Sequence, residues 1–126
     1  MAKRKNKKIL AVVDDLMCTV RINEAAKRTG LRAEFLKSTQ DVIEKADEQP
    51  TLIILDLNAS SVEPLDLITK LKGNSSHKGI SLIAYLSNVQ GELKKKAHEA
   101  GCDMVMTRSA FSQNLQQIFK RHAAVR

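Results

Sequence analysis

The chain has only two cysteines, Cys18 and Cys102. That is too few for the disulfide scaffold on which small secreted domains depend, and both read as small buried hydrophobes. No Cys-X-X-Cys pair, glycine-rich phosphate loop or recognisable nucleophile motif occurs, which removes the usual signatures of redox, nucleotide-dependent and hydrolytic enzymes. No apolar run approaches the ~18 residues of a membrane span. The start, MAKRKNKK, is basic, but neither a long apolar region nor a small-residue cleavage site follows it, so it does not read as a secretory signal. A cytoplasmic protein without membrane contact is the expectation. Repeats, low-complexity tracts and internal linkers are missing too, and 126 residues is the size of one compact domain.

What is present begins with charge. The formal net charge is +7, which invites a nucleic-acid reading until its distribution is examined. Lys3, Arg4, Lys5, Lys7 and Lys8 stand near one end and Lys120, Arg121 and Arg126 near the other; setting these eight aside leaves 13 basic residues against 14 acidic ones. The body is nearly neutral, and the basicity belongs to the ends. Solvated tails, with residues 1–6 as a basic disordered segment before a domain over 7–122, account for the charge without a nucleic-acid partner.

Along that body, apolar runs alternate with stretches of helical period. KILAVV (8–13), LRAEFL (31–36), TLIILD (51–56), ISLIAYL (80–86) and DMVMT (103–107) read as strands. Between and after them lie five helical segments. The first spans 17–30 with Gly30 as its C-cap, and the second opens at Ser38 and closes at Pro50. The third carries Pro64 in its first turn and Gly73 after its last, the fourth ends at Gly101, and the last runs from Ser112 to Ala123. Five strands each followed by a helix predict an α/β doubly wound, five-stranded parallel sheet with five flanking helices, because right-handed crossovers place helices on both faces.

In such a sheet, ligands bind outside the carboxyl ends of the strands, where strand order reverses. Two of the strands end on carboxylates. The first leads into Asp14 and Asp15, and the third stops at Asp56, a charge that is costly to bury without a partner. Three carboxylates brought to one sheet edge raise one another's pKa unless a cation neutralises them, and an all-oxygen cluster that keeps some water suits Mg2+. Capping of the helix that begins near Leu16 is the competing role for Asp14 or Asp15.

With those residues in hand, the stretch 7–122 resembles the receiver domain of two-component response regulators, a flavodoxin-like fold. Asp14 and Asp15 match the family's acidic pair, and Asp56 in LIILDLN matches its phosphoacceptor. DDLMCTVRI resembles its first turn and helix, and EAGCDMVMTRSAF its fourth-helix end and fifth strand. The resemblance implies a phosphorylation switch. A histidine kinase or phosphotransfer protein donates a phosphoryl group to Asp56, and Mg2+ is held directly by Asp15, through water by Asp14, by Asp56, and by the backbone carbonyl of Asn58.

Four positions depart from the family pattern. Arg108 stands where the family has a lysine, followed by Ser109 in place of proline; arginine keeps the charge but spreads it over a wider planar fork. The switch hydroxyl falls on Leu86 by ungapped counting, or on Ser87 if the next loop is one residue shorter, and Ser87 is the expected choice. Val105 replaces an aromatic residue. SSVEPL lacks the Met-Pro and Asp-Gly of the usual loop. Two functions lead, and a third, a small enzyme such as a phosphatase on the same fold, has little support without a nucleophile motif. One is a receiver that catalyses at most its own phosphorylation and dephosphorylation and signals through a partner bound to the face of the fourth helix, fifth strand and fifth helix. The other is a pseudo-receiver that binds partners without phosphorylation. His77, His98 and His122 read as solvated side chains in loop or helix-surface settings, and the five βα units leave no room in these residues for a DNA-binding output domain.

Overall fold

Alternation along the strands decides the layers of this molecule. The structure, a computed structural model, describes residues 6–60, 62–87 and 91–123. Its strands are β1 (Asn6–Val12), β2 (Arg32–Phe35), β3 (Pro50–Asp56), β4 (Ser81–Leu86) and β5 (Met104–Thr107). Its helices are α1 (Leu16–Thr29), α2 (Thr39–Ala46), α3 (Pro64–Lys72), α4 (Gly91–Ala100) and α5 (Arg108–Ala123). All strand pairs are parallel, in the order β2-β1-β3-β4-β5. The order reverses between β1 and β3, so the switch point lies at the ends of the two strands that carry the carboxylates.

Leu10, Val12, Ile53, Leu55, Leu82 and Ala84 point to one side, where they pack with Val42, Leu67, Ile68 and Ala97 of α2, α3 and α4. Ile9, Ala11, Leu52, Ile54, Ile83 and Tyr85 point to the other and pack with Ile22 and Ala26 of α1 and Phe111, Leu115 and Phe119 of α5. Every residue of β3 is buried, as a central strand covered on both faces must be. Tyr85 stacks on Phe111, with ring centroids 4.8 Å apart. Cys18 and Cys102 are buried and free.

Most boundaries shift by one or two residues from the sequence reading, and three of the differences have a visible cause or consequence. Asn6 opens β1 instead of ending a tail; residues 1–5, the rest of the expected basic segment, lie outside the described residues. The second helix stops at Ala46, not at Pro50. The amides of Asp47, Glu48 and Gln49 tighten onto carbonyls three residues back, and Gln49 adopts a positive φ of 58°, which turns the chain before Pro50 opens β3. Proline lacks the N–H that a strand interior needs, but not one that its first residue needs. The last helix starts at Arg108, four residues early, because the Thr107 hydroxyl accepts the Ala110 amide at 3.2 Å and caps it there. No described helix is long and apolar enough to cross a membrane.

Candidate functional site

Each carboxylate at the sheet edge has found a donor of its own. Asp15 is the N-cap of α1: one carboxylate oxygen accepts the Met17 amide at 2.9 Å, the expected service of aspartate at that position. Its other oxygen lies 3.1 Å from Nη1 of Arg108 and 3.7 Å from the Cys18 thiol. Asp14 accepts from the Ser60 amide at 2.8 Å and from the Ser60 hydroxyl at 3.1 Å. Asp56 is 2% exposed, and its Oδ1 accepts the Asn58 amide at 2.8 Å.

Burial, the largest influence, pushes Asp56 above the usual carboxylate range, and the Asp14 charge adds to this. The amides of Asn58 and Asp14 and the Arg108 charge act the other way. Asp56 is thus a desolvated carboxyl whose charged form is held by nearby donors. Those donors continue outward. The Asn58 side-chain oxygen accepts the Ser87 amide at 2.8 Å, and the Ser87 hydroxyl accepts from Nη2 of Arg108 at 3.2 Å. A bonded path therefore runs from Asp56 through Asn58, Ser87 and Arg108 to Asp15. A cleft of about 520 Å³ opens beside it between α1 and α5, with Asp15, Arg21, Ser87, Arg108 and Ser112 in its wall and Asp56 outside it.

The sequence reading placed Asp14, Asp15 and Asp56 together as one acidic pocket. Among the described residues, no group of three His, Cys, Asp or Glu side chains is arranged to hold a metal ion. Unneutralised carboxylates repel, and each of these accepts from donors of its own, while the Asp14 amide and the Asp14 charge both act on Asp56. Their donor chemistry still suits a hard cation, since all are oxygens, Asp56 ends β3 and Asp14 and Asp15 follow β1 beside the switch point. Of the two positions weighed for the hydroxyl, Leu86 is 1% exposed in the core, whereas Ser87 is exposed and contacts Arg108. Val105 is buried against the α2–α3–α4 side of the sheet.

Two features escaped the sequence reading. Ser60 binds Asp14 across 46 residues, and nothing in the polar stretch NASS separates a ligand-like serine from a loop serine. His77, a solvated loop residue by the sequence, is 2% exposed, with Nε2 2.6 Å from Asp47. It sits in the turn between α3 and β4, a position that periodicity marks only as loop. It belongs to the opposite end of the sheet from the carboxylates, as Asp47 leads into the start of β3.

No protein-family model matches the chain, and no curated protein matches it. Solved structures do. A response regulator from Hahella chejuensis aligns with a TM-score of 0.82 at 19% identity over 95% of this chain and 97% of that one. The phosphorylated cyanobacterial phytochrome response regulator RcpA aligns with a TM-score of 0.76 at 20% identity over 92% of this chain and 90% of its own. The Mn2+-bound form of response regulator Rcp1 aligns with a TM-score of 0.74 at 19% identity over 92% and 91% of the two chains. The five parallel strands and five helices thus form the flavodoxin-like fold of response-regulator receiver domains.

Proposed function

We propose that the chain is a single-domain receiver that takes a phosphoryl group onto Asp56 with Mg2+ and signals through a partner protein in the cytoplasm. One observation carries this reading: Asp56, a buried carboxylate at the switch point, is joined through Asn58 and Ser87 to the Arg108 cation. Two structures of the same fold are described as phosphorylated and as Mn2+-bound, which supports both parts of the proposal.

The donor is a phosphohistidine on a histidine kinase or phosphotransfer protein. An Asp56 carboxylate oxygen forms a bond to phosphorus as the bond to the imidazole nitrogen breaks; the imidazole leaves with the electron pair and takes a proton, and an acyl phosphate remains. Little covalent chemistry falls to the protein, so positioning and charge neutralisation dominate. The Asn58 amide fixes Asp56 and keeps its charged form available despite burial. Arg108 supplies a cation for the phosphoryl oxygens, and the Ser87 hydroxyl a donor beside them. Asp14, Asp15, Asp56 and the Asn58 carbonyl would hold Mg2+, which when bound neutralises charge on the transferring group. The face of α4, β5 and α5 is the surface offered to a downstream partner.

The test is the intact mass after incubation with acetyl phosphate and Mg2+. A gain of one phosphoryl group in the native chain and none in Asp56→Asn is expected. A second reading, a phosphorylation-independent pseudo-receiver, is favoured by the engagement of Asp15 with Arg108 and by Val105. It takes over if the mass stays unchanged and beryllofluoride with Mg2+ shifts no amide signal near Asp56.

A further inference from the structure

We propose that Arg108 competes with the divalent cation for Asp15, so that a cation binds only by displacing the guanidinium, which is thereby released toward Asp56. The inference rests on the reading of Asp56 as a metal-assisted acceptor and adds the order in which the two positive charges use the site.

The geometry engages both oxygens of Asp15. Its Oδ1 serves the Met17 amide at 2.9 Å, and its Oδ2 faces Arg108 at 3.1 Å. The helix cap is local and costs little to keep, so the oxygen that a cation would need is the one that Arg108 holds. A dication and a guanidinium cannot share that oxygen, because two positive charges a few ångströms apart repel strongly in a partly desolvated site. A lysine ammonium is a point charge on a flexible stem. The arginine fork binds two partners at once, here Asp15 through Nη1 and Ser87 through Nη2, and so resists being moved.

Competition of this kind is reciprocal: whatever strengthens the Arg108 contact weakens the cation, and the reverse. Displacement also has a destination. The Arg108 charge already acts on Asp56, and a phosphoryl group there would offer the released fork a bidentate partner. The cation then sets Arg108 free to meet the phosphoryl group, and its arginine identity tunes how much divalent cation the site requires.

The measurement is a Mn2+ titration of the full chain, followed by paramagnetic broadening of backbone amide signals around Asp15 and Asp56. Both partners of the pair are partly exposed, at 40% and 24%, so its loss is expected to tighten Mn2+ binding by roughly fivefold. Arg108→Ala should show that gain, Ser87→Ala a smaller one, and Asp15→Asn weaker binding than the native chain. Amide signals of Arg108→Ala far from the site report that it folds. Equal or weaker Mn2+ affinity in Arg108→Ala, or undiminished affinity in Asp15→Asn, overturns the competition. If Asp56 still takes a phosphoryl group in that case, the acceptor reading survives alone. If no chain binds Mn2+ and Asp56 stays unmodified, both fall.

Discussion

Replacing Asp15 tests the two interactions that meet on one carboxylate. As the N-cap of α1 it satisfies the Met17 amide, and loss of such a cap costs about 1 kcal/mol, within a range of roughly 0.5–2. As the partner of Arg108 it forms a half-exposed ion pair, worth at most about 1 kcal/mol. Asp15→Ala removes both, and the relief of repulsion with neighbouring Asp14 returns a fraction, so a net loss of about 1–2 kcal/mol is expected. For a chain of this length that lowers Tm by roughly 3–8 °C. Asparagine caps helices as well as aspartate does, so Asp15→Asn should lose only the ion-pair part, less than about 1 kcal/mol. Urea denaturation followed by far-ultraviolet circular dichroism measures the difference, and added salt should shrink the Asn effect while leaving the Ala-to-Asn gap intact. Equal destabilisation by Ala and Asn would refute the cap.

Asp56→Asn should stabilise the fold at neutral pH. Burial raises the Asp56 pKa above the ordinary 3.8, so the folded chain holds the proton more tightly than the unfolded one. The stability this brings is complete below about 3.8 and is lost as pH rises through the folded value; the advantage of Asn, read from urea midpoints, should therefore close in acid. On the α1–α5 side of the sheet, Phe111→Ala removes a ring that is 1% exposed and stacked on Tyr85, a loss of about 3–5 kcal/mol by the same assay. Tyr85→Phe is expected to be neutral or stabilising, because among the described residues the buried Tyr85 hydroxyl has only the nearby Cys18 thiol, a weak partner, beside it; a loss above about 1 kcal/mol would mean that this contact matters.

The βα units were legible because strand and helix periods differ, and because Gly30, Pro64 and Gly73 punctuate them. Sheet order was not. Nothing in TLIILD states that it lies between the first and fourth strands, although four consecutive apolar residues, Leu52 to Leu55, mark a strand covered on both faces. Helix ends were read least well where the cap is a side chain outside the apolar pattern, as with Thr107 before α5. At the site, the strand-end positions of Asp14, Asp15 and Asp56 were visible, since each carboxylate interrupts or ends an apolar run. The bonds that orient them were not. Ser60 and Asp14 are 46 residues apart, Ser87 and Asn58 29, and Arg108 and Ser87 21, and contacts at such separations depend on the sheet order.

Strand alternation also decides which side of the sheet hears a change at Asp56. Ile54 faces α1 and α5, Leu55 faces α2, α3 and α4, and Asp56 follows with the parity of Ile54. In register beside it stands Tyr85, which packs on the α1–α5 side. Ser87, two residues beyond Tyr85, joins the wall of the α1–α5 cleft, and Arg108, which bonds to it, is the first residue of α5. Val105, by contrast, is buried with the opposite cluster. The bonded route out of Asp56 therefore reaches the first turn of α5 through Asn58, Ser87 and Arg108 without crossing the sheet. A perturbation at Asp56 meets a chain of hydrogen-bonded polar groups along that route, whereas on the Val105 side it meets close-packed aliphatic side chains.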